Sequence, residues 1–117
     1  MTGYQRAVRA LVRYPEGPER LARLALELAS EAGEVANDVK KVFRDDGGAL
    51  TPERRARLLD ELGDVLWAAA ALIDACGGDQ RAVERANVAK LTARFVERGL
   101  FAPEEAARVR RLVADED

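Results

Sequence analysis

Apolar residues recur every three or four positions through most of this chain, which is the spacing of amphipathic helices. Breaks rich in proline, glycine and aspartate divide the pattern into five segments. We predict helices over about residues 4–13, 19–44, 52–76, 79–98 and 103–113, the last with a frayed acidic end. The chain is therefore expected to be all-α, with a four-helix core bundle and a short additional terminal helix. At 117 residues it should form one domain, 1–117.

The second and third helices carry the clearest apolar stripes. We expect the following residues to face inward: Leu21, Leu24, Leu28, Val35, Val39 and Val42 on the second helix, and Leu58, Leu62, Val65, Leu66, Ala69 and Ile73 on the third. Thr51 should cap the third helix, with Pro52 at its first position. A turn is predicted at residues 45–48, and Trp67 is expected in the core or at an interface.

Charge and composition exclude several classes of protein. The net charge is −2 and basic residues are interspersed with acids, so a general nucleic-acid interface is not expected. The longest apolar run, residues 65–73, is too short to span a bilayer, and residues 1–13 do not resemble a signal peptide. The single cysteine, Cys76, excludes a disulfide framework within one chain and predicts a buried thiol in a reducing compartment. We therefore expect a cytoplasmic protein without a membrane partner.

Two pairs of acids carry the candidate chemistry. Glu31 and Glu34 lie three residues apart in the second helix, and Glu61 and Asp64 have the same spacing in the third. Each pair shares a helix face, so four carboxylates converge if the helices pack side by side. Such a group stays ionised only with a cation among its members. Oxygen ligands without histidine favour Mg²⁺, with Mn²⁺ as the alternative, and predict an enzyme acting on a phosphate anhydride.

The surroundings of the acids support this interpretation. Glu27, Glu31, Glu34 and Asp38 form a continuous acidic line that lies beside the apolar stripe, whereas solvated acids more often lie opposite it. Each pair also contains a glycine, Gly33 or Gly63, which would let a helix or a ligand approach the backbone closely. The alternative is that the acids only increase solubility and pair with nearby cations, namely Lys40, Lys41, Arg54, Arg55 and Arg57.

Three stretches resemble the MazG-like nucleoside triphosphate pyrophosphohydrolases. They are Ser30-Glu31-Ala32-Gly33-Glu34-Val35, Asp60-Glu61-Leu62-Gly63-Asp64-Val65-Leu66-Trp67 and Asn87-Val88-Ala89-Lys90-Leu91-Thr92-Ala93-Arg94. This family belongs to an all-α superfamily that includes dimeric dUTPases and phosphoribosyl-ATP pyrophosphohydrolase. One departure concerns the first motif, where Ser30 stands in place of the usual first glutamate.

The resemblance implies Mg²⁺-dependent hydrolysis of a (deoxy)nucleoside triphosphate to its monophosphate and pyrophosphate. Glu31, Glu34, Glu61 and Asp64 would bind the metal, and Glu31 would accept a proton from the attacking water. The implied substrate-binding residues are Asn87, Lys90, Arg94 and, for a base edge, Gln5. For the cations of this set, the alternative role is to complement the dipole at a helix end.

Family members form homodimers or homotetramers whose subunits often share the substrate pocket, and apolar surface on so small a bundle agrees with that expectation. Two alternatives stay open at this point. One is a narrow specificity for dUTP, dCTP or phosphoribosyl-ATP. The other is a non-catalytic helical-bundle interaction module. Ferritin-like di-iron chemistry is disfavoured because the chain contains no histidine.

Overall fold

The computed structural model describes residues 1–114 and shows five helices within them. They are α1 Gly3–Leu11, α2 Pro18–Asp46, α3 Pro52–Ala75, α4 Gln80–Glu97 and α5 Pro103–Ala114. The all-α prediction is confirmed, and each boundary lies within two residues of the predicted one. The expected frayed acidic end falls on residues 115–117, which lie outside the described part of the chain.

Local signals in the sequence set the helix ends. The Thr51 side chain accepts a hydrogen bond from the Arg54 backbone N–H at 3.2 Å, so the predicted cap of α3 is confirmed. At the other side of this connection, α2 ends at Gly47 in the left-handed conformation, with a φ of 61°. The predicted turn at residues 45–48 therefore begins later than expected. Asp46 remains helical and its carboxylate pairs with the Arg54 Nε at 2.7 Å.

α2 and α3 form a long antiparallel hairpin, because only residues 47–51 connect two helices that pack along their length. The hydrophobic core lies at the end of the hairpin that α1 covers. It consists of Val8, Leu24, Ala70 and Ala71, with Val12, Tyr14, Trp67, Leu72 and Ala75 packed around them. Trp67 thus lies against the core, as predicted.

α4 and α5 form a second hairpin that stands apart from the first. α4 packs mainly on α5 and touches α3 at only a few positions. Inside this hairpin, the rings of Phe95 and Phe101 meet edge to face at 5.2 Å, and Ala106 is buried. The radius of gyration is 17.4 Å, whereas a compact chain of this length has about 13 Å. The four longer helices therefore do not close around one core within a single chain.

This open arrangement exposes part of the predicted interior. Leu66 was expected to face inward but is 61% exposed, and Leu21, Val39 and Leu62 are also exposed. The prediction that these four residues face inward is corrected, because none of the described helices covers them. Cys76 is exposed as well, since it caps the end of α3 rather than lying inside it, so the prediction of a buried thiol is wrong. None of the described helices is long and apolar enough to cross a membrane.

Candidate metal and nucleotide site

The α2–α3 hairpin brings acids from both motifs together. One carboxylate oxygen each from Glu31, Glu61 and Asp64 lies within 4.8 Å of the other two. We call these three residues the acid cluster. The first two are half-buried between the helices, and Asp64 is exposed. The antiparallel hairpin produces this convergence, because it places the motif of α2 opposite the motif of α3.

Glu34 does not belong to this group in the described structure. Its side chain is exposed on α2, yet its charge still helps to raise the pKa of both Glu31 and Glu61. Three of the four predicted metal ligands are therefore assembled, and the fourth lies beside them. Their assignment as metal ligands stays a prediction.

Burial and like charge act together on the acid cluster. Partial burial raises the pKa of Glu31, and the negative charges of Asp64 and Glu61 raise it further. Partial burial also raises the pKa of Glu61, followed by the charges of Asp38 and Asp64. Both shifts mean that the ionised carboxylates repel one another when no cation is present.

No lysine or arginine relieves this repulsion within residues 1–114. The ion pairs there lie elsewhere, and Arg54, an expected partner for the acids, pairs with Asp45 and Asp46 instead. The alternative in which the acids only pair with surface cations is therefore not the arrangement observed. A set of carboxylate oxygens without a counter-charge fits a divalent cation such as Mg²⁺ or Mn²⁺.

Asp38 adds an acid that the sequence did not identify as a ligand. It lies two turns beyond Glu31 on α2, is only 4% exposed, and its Oδ2 has no hydrogen-bond partner among the residues that the structure describes. The signal in the sequence was its place in the acidic line, because the spacing of seven residues keeps it on the face of Glu31.

Gln5 has a structural role, so its assignment to substrate binding is corrected. The side chain is 1% exposed. Its Nε2 donates to the Asp74 carboxylate at 3.1 Å and to the Gly78 carbonyl at 2.8 Å, and its Oε1 accepts from the Gln80 N–H at 2.8 Å. Both amide protons are thus already used in joining α1 to the connection between α3 and α4, and none is left to read a base edge.

The other predicted substrate-binding residues lie on α4. Asn87, Lys90 and Arg94 are exposed, and within the described chain no ion pair joins the two cations to the acid cluster. Arg94 also lies in the last turn of α4, where a cation complements the helix dipole. Their contact with a substrate stays a prediction.

Two hollows lie along the hairpin. An open groove of about 290 Å³ is lined by Tyr14, Arg23, Leu26, Glu27 and Ser30. Glu27 lies one turn before Glu31, so this groove adjoins the acid cluster. Ser30, the residue that departs from the family pattern, is exposed there. The Tyr14 hydroxyl donates to Glu27 at 2.8 Å.

A larger cavity of about 720 Å³ lies between α1, the start of α2 and the end of α3. Its two arginines already have partners. Arg9 pairs with Asp74 at 2.7 Å, and Arg20 donates to the Tyr14 carbonyl. These contacts hold the arginines within the fold, so the cavity offers a weaker phosphate site than its composition first indicates.

Comparisons with known proteins give a family match and one relative. The model of the MazG nucleotide pyrophosphohydrolase domain matches residues 19–98, a range that contains both acid pairs and α4. The chain is also 42% identical over 76 residues to the "Gene 37 protein" of Mycobacterium phage L5, covering 65% of this chain and 67% of the phage protein. No solved structure matches this chain.

Proposed function

Since this chain belongs to the MazG nucleotide pyrophosphohydrolase family, we propose that it hydrolyses (deoxy)nucleoside triphosphates to the monophosphate and pyrophosphate. We further propose that the reaction depends on Mg²⁺, with Mn²⁺ as an alternative. The observation that supports this proposal is the convergence of Glu31, Glu61 and Asp64, with no basic side chain of residues 1–114 paired to them. The physiological role would be the removal of unwanted nucleotides or the control of nucleotide pools in the cytoplasm.

Each acid has a proposed role. Glu31, Glu61 and Asp64 would hold the cation, and Glu34 would join them through a change of side-chain rotamer. A bound Mg²⁺ would neutralise phosphate charge and lower the pKa of a coordinated water. Glu31 would accept the proton of the water that attacks the α-phosphorus.

The proposed contacts with the triphosphate come from α4. Lys90 and Arg94 would bind phosphate oxygens, and Asn87 would hydrogen-bond to the substrate. Because α4 stands away from α2 and α3 in one chain, a second copy could supply these side chains to the acid cluster. We therefore propose a homodimer or homotetramer. The radius of gyration of 17.4 Å and the exposed apolar residues of α3, such as Leu62 and Leu66, support this assembly.

Two alternatives are outcomes of the same test. A narrow specificity would restrict turnover to dUTP, dCTP or phosphoribosyl-ATP. A non-catalytic interaction module would turn over no nucleotide, and Ser30, in place of the usual first glutamate, is the residue that motivates it.

The direct test is pyrophosphate release from a panel of canonical and modified nucleoside triphosphates and phosphoribosyl-ATP, measured with Mg²⁺, Mn²⁺ or a chelator. Glu34→Gln and Glu61→Gln should reduce the rate, while Glu53→Gln, an exposed acid in the first turn of α3, serves as the matched control. Monophosphate and pyrophosphate formation that requires the cation would support the proposal. A lack of turnover on every substrate, with no change of melting temperature on adding Mg²⁺, would support the interaction module.

A further inference from the structure

Asp38 is a buried carboxylate outside the two acid pairs. It is 4% exposed, and within residues 1–114 its Oδ2 has no hydrogen-bond partner. A buried ionised oxygen without a donor or a counter-ion is costly, and such groups in folded proteins are usually paired or bound to a metal. This side chain therefore requires an explanation that the acid pairs do not provide.

The hairpin determines which side of the acid cluster Asp38 approaches. The main packing partner of α2 is α3. Asp38 lies away from the end of the hairpin that α1 covers, so its burial is against α3. In an antiparallel pair, a step toward the end of α2 is a step toward the start of α3. Asp38 lies beyond Glu31 in that direction and therefore lies nearer to Glu61 than to Asp64.

The electrostatics agree with this placement. After partial burial, the charge of Asp38 is the largest cause of the raised pKa of Glu61, ahead of the charge of Asp64. Asp64 itself has an oxygen within 4.8 Å of a Glu61 oxygen. The charge of Asp38 therefore reaches Glu61 across the interface of the two helices.

No basic side chain among the described residues forms an ion pair with Asp38 or Glu61. Lys41 lies one turn beyond Asp38 on α2 and is half-buried, but it forms no ion pair with Asp38 within 4 Å. Arg57 lies one turn before Glu61 on α3, but it forms no ion pair with Glu61 or Asp38 in the described chain. Arg54, one turn earlier, is engaged by Asp45 and Asp46. A divalent cation is the species that would satisfy both carboxylates at once.

We infer that Asp38 is a further cation ligand, outside the two acid pairs, and that it shares a divalent cation with Glu61. Glu61 is then the central carboxylate of the site, with Glu31 and Asp64 on one side and Asp38 on the other. The inference rests on the proposed function, because it extends the cation site proposed there along α2. It also predicts that the cation is bound before any nucleotide arrives, since the ligands come from the hairpin alone.

The test is the binding of Mn²⁺ to the full chain without nucleotide, measured by isothermal titration calorimetry. Asp38→Asn keeps the size of the side chain and removes its charge. Asp60→Asn is the matched control, because it removes an equal charge from an exposed residue next to Glu61. We expect Asp38→Asn to weaken Mn²⁺ binding about tenfold or more, while Asp60→Asn stays within about twofold of the unmodified protein.

Melting temperatures without cation show whether weaker binding reflects a loss of fold. Asp38→Asn should melt at the same temperature as the unmodified protein or higher, because it removes repulsion with Glu61. If the asparagine variant does not fold, Asp38→Ser is measured in the same way. If Asp38 is a cation ligand, Mn²⁺ should stabilise the variant less than the unmodified protein, whereas an aspartate with only a structural role predicts unchanged stabilisation.

The outcomes separate this inference from the proposed function. Unchanged Mn²⁺ binding in Asp38→Asn, in a protein that hydrolyses nucleoside triphosphates with Mg²⁺, would overturn the role of Asp38 and leave the activity standing. Hydrolysis without any binding of Mn²⁺ in the absence of nucleotide would overturn the inference in the same way. Absence of both Mn²⁺ binding and hydrolysis in the unmodified protein would overturn both.

Discussion

The same helical hairpin holds two groups of partly buried carboxylates that behave in opposite ways. At the end covered by α1, Asp74 accepts three hydrogen bonds from Arg9, at 3.1, 3.0 and 2.7 Å, and a fourth from Gln5. The Arg9 hydrogen bond is the main reason that the pKa of Asp74 is lowered. Farther along the hairpin, Glu31 and Glu61 face other acids, and their pKa values are raised.

The difference shows how a structural acid and a functional acid are distinguished. The hydrogen-bonding capacity of the Asp74 carboxylate is satisfied by donors from α1, and these contacts hold α1 on α3. The acid cluster differs, since no lysine or arginine among the described residues pairs with its carboxylates. Such a group of carboxylates fits an external cation.

Removing a charge from the acid cluster should have the largest effect. Glu61→Gln should lower the rate of pyrophosphate release by about 100-fold or more, because the site loses a charge that binds and orients the reacting groups. Without cation, the same variant should melt at a higher temperature, because repulsion within the cluster is relieved. Steady-state kinetics and thermal melting measure the two effects. A variant with normal activity would contradict the role of the cluster.

Removing the charge from Asp74 should reverse this pattern. Asp74→Asn weakens its hydrogen bonds to Arg9 and Gln5, so the free energy of unfolding should fall by about 1–3 kcal/mol. The rate per folded molecule should stay unchanged, because Asp74 lies away from the acid cluster. Urea denaturation followed by circular dichroism measures the loss. Unchanged stability would show that the Arg9 pair is only a surface contact.

Both glycines of the acid motifs should tolerate alanine in the isolated fold. A Cβ atom added to Gly33 or Gly63 meets no atom within 4 Å, and alanine is favoured over glycine in a helix by about 1 kcal/mol. Each variant should therefore gain stability but lose activity, if a nucleotide or a second copy approaches the backbone there. Gly99→Ala is the control and should lose stability, because its φ of 72° strains an alanine. Increased stability with full activity would contradict the idea that a nucleotide or a second copy approaches the backbone at these glycines.

The smallest expected effect is in the pH dependence of stability, which should differ between the acid cluster and Asp74. Without cation, folded Glu31 and Glu61 bind protons more readily than in the unfolded chain, so stability should rise as pH falls from neutrality toward their usual pKa of 4.5. The pKa of Asp74 is lowered from its usual 3.8, so its contribution is lost only as pH falls below that value. Melting curves between pH 3 and pH 8 measure both branches.

Added Mg²⁺ should abolish the rise in stability that Glu31 and Glu61 cause as pH falls from neutrality. Metal ligands must be deprotonated to bind, so stability in Mg²⁺ should rise with pH instead of falling. The Asp74 branch should not respond to the cation. Identical pH profiles with and without Mg²⁺ would contradict a cation site at Glu31 and Glu61.

The sequence predicted those features that depend on local chemistry. Thr51, Pro52 and the glycine at position 47 define the α2–α3 connection through rules that act over a few residues. A short connection makes α2 and α3 antiparallel and places the acid motif of one helix opposite that of the other. Glu31 and Glu61 therefore converge, as the spacing indicated.

Features that depend on contacts between residues far apart in the sequence could not be predicted from local patterns. The partners of Gln5 lie 69 to 75 residues away in the chain, so nothing near Gln5 showed that its amide was already used. Leu66 fits an inward stripe, but it is exposed because α4 and α5 pack as a separate hairpin. Asp38 was visible in the acidic line, yet only the packing of α2 on α3 showed that its carboxylate is buried without a partner.

The most direct test of the central contrast is anomalous diffraction from crystals grown with Mn²⁺. The account predicts an anomalous peak among the carboxylates of Glu31, Glu61 and Asp64, and no peak at Asp74. Arginine or lysine side chains from a neighbouring copy paired with the three acids, with no peak between them, would contradict it. In that case the acid cluster would be a structural interface and not a metal site.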